Sequence, residues 1–290
     1  MRNNKTAGSK GFTLIELLVV MGIIALLLAI LLPVLGRARA YTKQVKDSKQ
    51  VGDVHKGFQW LSRDNNGVFP SPGLADRLPV NGTNIPGKGA EDPTQNHHAA
   101  MYSLCIMRNA LTTDILVSPA EVSTQVLVLA NYNFDAYNPT ATVDQFWDPQ
   151  FQANLSPGQL CNVSYGTLHP LGLRRAQQWR DTLDSKFVVV GNRGVINGSL
   201  APSDYLASKT IQIHGGAREW EGNMVFNDGH VTFERTFQPG GHVQWTQGST
   251  TIDDNVFKED PEAAGRDSWL TVCSAITGSG TTYTATIHWD

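Results

Sequence analysis

Three side chains in the second half of this 290-residue chain have the types that bind zinc or transfer protons. His214, Asp228 and His230 could supply the imidazole and carboxylate groups that hold a zinc ion or activate a water molecule. Asp228 is followed by Gly229, however, and an Asp-Gly pair between alternating apolar and polar residues is typical of a tight type I′ β-hairpin. No Ser-His-Asp arrangement, phosphate-binding glycine loop or H-E-x-x-H motif is visible. We therefore interpret these residues as turn and packing residues and predict no enzymatic activity.

An acidic segment near the C-terminus contains oxygen ligands of the kind that calcium prefers. Its candidate ligands are Asp253, Asp254, Glu259 and Asp260. The spacing of an EF-hand loop is absent, so a solvated acidic loop is the alternative to a calcium site. Apart from calcium, the sequence predicts no cofactor.

The three cysteines, Cys105, Cys161 and Cys273, lie far apart without a C-x-x-C spacing, so neither a zinc site nor a redox motif is indicated. In an oxidising compartment they allow at most one intrachain disulfide, and the sequence does not choose the pair. A cysteine that remains free is expected to behave as a small buried apolar side chain.

The N-terminal part of the chain contains an apolar run with a single charge. Between Phe12 and Leu35, a stretch of 24 residues, the only charged side chain is Glu16. This length suffices to cross a hydrocarbon core of about 30 Å at about 1.5 Å per helical residue. Each Leu, Ile, Val or Phe favours insertion by about 0.3–0.6 kcal/mol, and their sum outweighs the cost of about 2.5–3.5 kcal/mol for one charge. We predict a transmembrane helix whose carboxylate needs a partner.

Basic residues precede this run. Arg2, Lys5 and Lys10 lie in a leader without acidic residues, so the positive-inside rule places the N-terminus in the cytoplasm and the residues after Leu35 outside it. The residues after Leu35 carry a net charge of about −5. That balance disfavours nucleic acid as a partner.

The helix is predicted to continue beyond the apolar run. Pro33 removes one backbone hydrogen bond and is expected to kink the helix rather than end it. We predict one helix from about Phe12 to Ser62, because the turn residues of Asp64–Gly67 stop it. Polar residues of its second half, Asp47 among them, are assigned to exposed faces. Apolar residues at helical spacing form the predicted packed face: Ala38, Tyr41, Val45, Val51, Val54, Phe58 and Leu61.

The segment Lys10-Gly11-Phe12-Thr13-Leu14-Ile15-Glu16 resembles the processing site of type IV pilins and type II secretion pseudopilins. The resemblance implies that a prepilin peptidase cuts after Gly11 and methylates the new amine of Phe12. This amine would be largely cationic at neutral pH and would pair with Glu16 of an adjacent subunit. The implied partners are the peptidase, other pilin-like subunits, an inner-membrane platform protein and a cytoplasmic assembly ATPase.

The same resemblance implies a location and a metal. The chain would be a single-pass protein of the bacterial inner membrane, with its head in the periplasm or on a surface filament. Major secretion pseudopilins bind calcium in a C-terminal loop, which the acidic segment would match. Two other interpretations of the N-terminus stay open: a plain signal anchor whose Glu16 reaches the membrane interface, and a cleaved secretory signal, because Ala38-Arg39-Ala40 imitates a signal-peptidase site.

A second resemblance involves the predicted hairpin of Asn223–Phe233. It is similar to the ending of a large pilin-like family named for a histidine followed nine residues later by Asp-Gly. Here the corresponding histidine is His214, and thirteen residues separate it from Asp228. Val117–Glu121 is similar to the Cys-Pro-Ser-Asp stretch of that family, but the cysteine is missing, so no disulfide is implied there.

The composition of the remaining chain, within a protein that is 41% hydrophobic and 17% charged, predicts a folded, loop-rich domain with its own core. Periodicity predicts a helix, two buried strands, a long loop and a C-terminal hairpin. In that order these are Ala99–Leu111, Gln125–Ala130 and Lys186–Gly191, Gly73–Asn96, and Trp269–Trp289.

We therefore predict an α+β protein whose long N-terminal helix packs on an antiparallel β-sheet head. The predicted parts are a leader (1–11), a transmembrane helix half (12–35), an extracytoplasmic helix half (36–64) and a globular head (65–290). The predicted function is that of a structural subunit of a pilus or secretion pseudopilus. The alternative is a tethered module that never polymerises and binds a glycan or surface ligand through aromatic residues of the head, such as Tyr132, Phe134, Tyr137, Phe146 and Trp147.

Overall fold

The computed structural model describes residues 11–74, 91–136, 147–215 and 219–289. The chain divides into two compact units, Met1–Lys43 and Gln44–Asp290, and the second is called the head unit below. The predicted leader residues 1–10, most of the predicted loop Gly73–Asn96, and Tyr137 and Phe146 lie outside the described residues.

The first helix, α1, runs from Leu14 to Ser62 without ending at Pro33. Its C-terminal stop is a tight turn in which the amide of Gly67 donates to the carbonyl of Ser62 at 2.8 Å. Asn66 and Gly67 have positive φ angles of 51° and 78°, which a helix does not allow. The predicted helix and its predicted stop are therefore confirmed.

The packed face of α1 begins later than predicted. Every residue from 11 to 43 is exposed, and Val45 is 50% exposed, so the predicted contribution of Ala38, Tyr41 and Val45 to the packed face is wrong. Asp47 was expected on an exposed face, but it is fully buried. The buried face recurs every three or four residues: Asp47, Gln50, Val51, Val54, His55, Phe58, Leu61 and Ser62.

The head unit is built on a six-stranded antiparallel sheet with the order β4-β3-β2-β1-β7-β8. Two further strands, β5 and β6, form a separate hairpin. The strands are β1 Tyr165–Leu168, β2 Val188–Asn192, β3 Gly222–Phe226, β4 Val231–Glu234, β5 Gln244–Gln247, β6 Thr250–Asp253, β7 Leu270–Ser279 and β8 Thr282–His288. The α+β architecture with a long N-terminal helix and an antiparallel sheet agrees with the prediction.

Local sequence explains which predicted strands form. The valine run of β2 is buried along its whole length, as expected for a central strand. The C-terminal hairpin forms as β7 and β8, and β8 extends the sheet at its edge rather than covering its face. The predicted buried strand Gln125–Ala130 is wrong. It has a single bridge, between Val126 and Cys161, and Leu127 is 51% exposed.

The head unit also contains three short α-helices: α2 His98–Met107, α3 Gly172–Gln177 and α4 Pro202–Tyr205. The predicted helix Ala99–Leu111 corresponds to α2, which ends four residues earlier. Phe58 of α1 packs against the rings of Phe69, Tyr102 and Trp179 at centroid distances of 5.5–6.1 Å. The C-terminal part of α1, from Val51 to Leu61, therefore contributes to the core of the head unit.

All three cysteines are buried and free. Burial raises the pKa of each thiol, to about 11 for Cys161 and about 12 for Cys273. Each therefore has the character expected of a small apolar side chain, and no pair is joined.

Candidate functional site

The start of α1 is closed by a capping box. The hydroxyl and the amide of Thr13 donate to Glu16 Oε2 at 2.7 and 2.8 Å, and the amide of Glu16 donates to Thr13 Oγ1 at 3.3 Å. This reciprocal arrangement satisfies amide groups that have no partner inside the helix. Phe12, the predicted new N-terminus, directly precedes the box and is 76% exposed.

Within the described residues, α1 is the one helix long and apolar enough to cross a membrane. Its most apolar window is not buried at all. A packed core helix would hide such a surface, so the exposure fits a single-pass membrane anchor.

A buried polar network joins α1 to the sheet within the head unit. Asp47 Oδ2 accepts a hydrogen bond from Asn223 Nδ2 at 2.6 Å and lies 2.8 Å from His214 Nε2. Asp47 Oδ1 accepts from the hydroxyl of Tyr165 at 2.8 Å. Because an ionised carboxylate only accepts hydrogen bonds, His214 Nε2 must carry the hydrogen. One helix carboxylate is thus held by side chains from β1, β3 and the loop before β3.

The Asp47 network keeps its carboxylate ionised. Burial alone would raise the pKa of Asp47, but the hydrogen bond and charge of His214, with hydrogen bonds from Ser118 and Tyr165, hold this pKa below its ordinary value. The Asp47 side chain is fully buried and that of His214 is 3% exposed. Water therefore does not screen the pair.

His214 also contacts the predicted Asp-Gly hairpin, but through a strand rather than the turn. Its ring lies edge-on to Phe233 of β4, with centroids 5.7 Å apart. Through Asp47 it is linked to Asn223 of β3. The four-residue departure from the family spacing therefore does not separate the histidine from the hairpin strands.

The turn of this hairpin differs from the predicted type. The amide of Phe226 donates to the carbonyl of His230 at 3.0 Å, which closes a loop of three residues. Gly229 has a φ of 89°, whereas Asp228 does not have the positive φ that a type I′ turn requires. The hairpin is confirmed and the type I′ turn is wrong: the geometry is that of a three-residue loop with a left-handed glycine at its end.

The structure does not gather His214, Asp228 and His230 into one cluster. His230 Nδ1 lies 2.5 Å from Asp228 Oδ1, and the His230 ring stacks on Phe226 at 4.2 Å. His214 is engaged with Asp47 instead. In the described part of the chain, no group of three or more His, Cys, Asp or Glu side chains is arranged to hold a metal ion.

The four calcium candidates likewise have separate partners. Asp253 accepts from the amide of Gly241 at 3.0 Å, and Glu259 pairs with Arg174 at 3.1 Å. Asp260 lies 3.7 Å from Lys258. Asp254 accepts from the amide of Ser268 at 2.6 Å and is buried.

The stretch that resembles Cys-Pro-Ser-Asp contributes a buried ion pair. Glu121 forms a two-pronged pair with Arg193, with one contact at 2.8 Å to the Arg193 Nη2 atom. Ser164 donates to Glu121 at 2.8 Å and accepts from the amide of Ser118 at 3.0 Å. Burial opposes ionisation, but Arg193 holds the pKa of Glu121 below its ordinary value. The stretch therefore anchors a loop beside the Asp47 network without a cysteine.

Comparison with known families identifies the N-terminal segment. Residues 6–32 match the prokaryotic N-terminal methylation motif. The chain carries a prepilin-type methylation motif. The match includes Gly11, Phe12 and Glu16 and ends before Pro33, so it supports a pilin-like, processed and methylated protein. Comparison with curated proteins and with solved structures gives no significant match.

Two features escaped the sequence prediction. The first is the capping box at the head of the methylation motif, although Thr13-Leu14-Ile15-Glu16 has the T-x-x-E pattern that signals one. The second is the role of Asp47. Its position four residues before Val51 and seven before Val54 is compatible with the buried face, but helical spacing does not show that a carboxylate is buried there.

Proposed function

We propose that this protein is a structural subunit of a pilus or secretion pseudopilus. A prepilin peptidase cuts it after Gly11 and methylates Phe12. Before assembly, the processed chain is inserted in the inner membrane with its head in the periplasm. During assembly the apolar surfaces of many α1 helices bundle, and the Phe12 amine of one subunit meets Glu16 of another. The proposed role is mechanical and requires neither catalysis nor a cofactor.

One observation carries this proposal. The methylation motif lies at the start of a helix whose first 22 residues, 14–35, are exposed and apolar except for Glu16, while the same helix ends inside a folded head unit. A helix anchored at one end and bare at the other can pack against copies of itself once it leaves the lipid. A platform protein and an assembly ATPase would supply that extraction.

The state of the mature N-terminus is the first prediction. We expect native protein to begin at Phe12 with a methylated amine, because the motif and Gly11 define the cut. Mass spectrometry of the intact protein isolated from membranes measures this directly. A mature chain that starts at Tyr41 would identify a secretory signal, and a chain that retains residues 1–11 would identify a plain anchor.

The second prediction separates the two tasks of Glu16. Glutamine can replace glutamate in a capping box, but it carries no charge. If Glu16 neutralises the Phe12 amine of a neighbour, Glu16→Gln and Glu16→Ala should both lose filament assembly. Filament yield sheared from cells, measured against equal amounts of membrane-bound subunit, reports the result.

The comparison of the two variants contains its own control. If Glu16 only caps the helix, Glu16→Gln should assemble like the wild type while Glu16→Ala is impaired. That outcome contradicts the intersubunit pairing.

The tethered binding module is the alternative, and one cleft favours it. A cavity of about 620 Å³ lies beside α2, with Trp147, Phe151, His97 and Asn154 among its lining residues. Its size falls within the range of small-molecule sites. In this alternative, Glu16→Ala leaves surface display and ligand binding intact.

A further inference from the structure

One face of α1 within the head unit is cationic and lacks a partner. Asp53 pairs with Lys56 at 3.1 Å, whereas Lys46, Lys49 and Arg63 form no ion pair with any described residue. At 3.6 residues per turn, the positions of this face fall within about 100° of the helix circumference. We call it the basic stripe: Val45, Lys46, Lys49, Asp53, Lys56 and Trp60 of α1, with Arg63 directly after the helix.

The basic stripe also exposes apolar surface. Trp60 is 49% exposed and Val45 is 50% exposed. Tryptophan and arginine are enriched where protein surfaces bind each other, and they carry a large share of the binding energy. Trp60 and Arg63 therefore give one end of the basic stripe two residue types that are enriched in interfaces.

The rest of the chain has the opposite charge. Residues 36–63 contain seven basic and two acidic side chains, whereas residues 64–290 contain 13 basic and 23 acidic side chains, a net charge of −10. Three exposed carboxylates of this acidic part, Asp253, Glu259 and Glu262, lie in one segment. We call residues 253–262 the acidic loop. Such complementarity steers association and fixes register.

We propose that the basic stripe of one copy of this chain docks the acidic loop of a second copy. The proposal rests on the proposed function, which brings copies together, and it names the surface through which their heads meet. The contact joins two different patches, so each copy can bind one neighbour with its stripe and another with its loop. Contacts of this type build open helical polymers rather than closed dimers.

A protein partner suits the stripe better than a membrane does. Anionic headgroups would attract the stripe, but they would repel the head, whose net charge is −10 over residues 64–290. A second copy offers negative charge at the stripe without that repulsion.

Crosslinking of the full-length protein tests the proposal. Equal amounts of unlabelled and ¹⁵N-labelled protein are reconstituted together in phosphatidylcholine vesicles and treated with a zero-length carbodiimide, which joins lysine amines to carboxylates in contact. Mass spectrometry should detect mixed-isotope peptides that link Lys46, Lys49 or Lys56 to Asp253, Glu259 or Glu262. Because the Debye length shortens from about 10 Å to about 3 Å between 0.1 and 1 M salt, the yield should fall in high salt.

Charge reversal provides the matched variants. Lys46→Glu with Lys49→Glu should lower the yield of these crosslinks at least fivefold, and so should Asp253→Lys with Glu262→Lys. Charge reversal also removes the amines or carboxylates that carbodiimide joins, so fewer crosslinks alone do not prove weaker association. Association of the heads is therefore also measured by fluorescence energy transfer between labelled copies. The two reversals in one chain should restore transfer to within about twofold of the wild type. The control, Lys209→Glu with Arg235→Glu, reverses two exposed cations elsewhere and should leave both signals unchanged.

Three outcomes overturn the proposal. Unchanged transfer after reversal of the stripe would show that the stripe is not the docking surface. Loss of transfer without rescue by the double reversal would show that the acidic loop is not its partner. Binding of the wild type to phosphatidylglycerol vesicles that depends on the stripe, without transfer between copies, would identify the membrane instead. The crosslinks form in vesicles without any assembly machinery. Wild-type protein that crosslinks there but forms no filaments on cells would therefore contradict the proposed function and leave the docking of stripe and loop intact.

Discussion

Asp47→Ala should lower the free energy of unfolding of the head unit by about 3–5 kcal/mol, because it removes a buried carboxylate that accepts hydrogen bonds from several buried side chains. The carboxylate is fully buried and binds three side chains, at 2.6 Å (Asn223), 2.8 Å (His214) and 2.8 Å (Tyr165). Its removal leaves three buried donors without their acceptor, and each unsatisfied group costs about 1–3 kcal/mol. Urea unfolding of the full chain in lipid nanodiscs, followed by tryptophan fluorescence, measures the loss.

The same helix provides the control. Asp53 lies six residues further along and pairs with the exposed Lys56. Asp53→Ala should change the free energy of unfolding by less than about 1 kcal/mol, as for other exposed pairs. All seven tryptophans lie at residue 60 or beyond, so the fluorescence reports on the head. An Asp47→Ala protein as stable as the Asp53→Ala protein would show that the network is structurally dispensable.

Asp47 also marks the limit of what the sequence could predict. Local patterns were sufficient for α1, for its stop at Asp64–Gly67, and for the hairpins at Asp228–Gly229 and the C-terminus, because glycines and alternation encode these features within a few residues. The buried face of α1 mixes Asp47, Gln50 and His55 with apolar residues. Hydrophobicity alone therefore assigned Asp47 to the surface, since Tyr165, His214 and Asn223, which bind it, lie more than 100 residues away in the chain.

The incorrect strand at Gln125–Ala130 has a related cause. Its run of valine and leucine has strand propensity, but propensity does not supply a neighbouring strand. The structure provides one bridge to Cys161 and exposes Leu127 and Val128. At the N-terminus the reverse holds: Gly11, Phe12 and Glu16 belong to a short motif that can be identified without any tertiary structure.

The second large effect concerns Asp254, whose own contribution to stability should fall as the pH rises. Burial, with the charges of Asp267 and Asp260, raises the pKa of Asp254 to about 7, although the amide of Ser268 and the charge of Arg174 act in the opposite direction. In the unfolded chain the same carboxyl titrates near 3.9. Between about pH 4 and pH 7 the folded state therefore holds one proton that the unfolded state has lost. The contribution of Asp254 to stability falls across that window by about 4 kcal/mol, at about 1.4 kcal/mol per pH unit.

Geometry supports the protonated state of Asp254. Its Oδ2 accepts from the amide of Ser268 at 2.6 Å, while its Oδ1 is buried without a hydrogen-bond donor. The neighbouring Asp267 is fully buried and also has an Oδ1 without a donor, although Arg174 holds its other oxygen at 2.5 Å. An added proton on Asp254 removes the repulsion between its carboxylate and that of Asp267, because Arg174 forms an ion pair with Asp267 and not with Asp254.

Asp254→Asn should therefore remove this pH dependence, because an amide keeps the acceptor for Ser268 and cannot ionise. The variant should be more stable than the wild type at pH 8, by up to about 4 kcal/mol, and by only about 1.5 kcal/mol at pH 5, as measured by urea unfolding at both values. Asp253→Asn, an exposed neighbour, should retain the slope of the wild type. Asp47 acts with the opposite sign, since its lowered pKa costs stability only as the pH falls below about 4. Burial also lowers the pKa of four histidines, so they destabilise the fold as the pH falls below about 6.5 and oppose the slope of Asp254: His55, His97, His98 and His169. The effect of Asp254 is therefore read from the difference between the wild type and Asp254→Asn, and an equal difference at pH 5 and pH 8 would contradict the protonated state of Asp254.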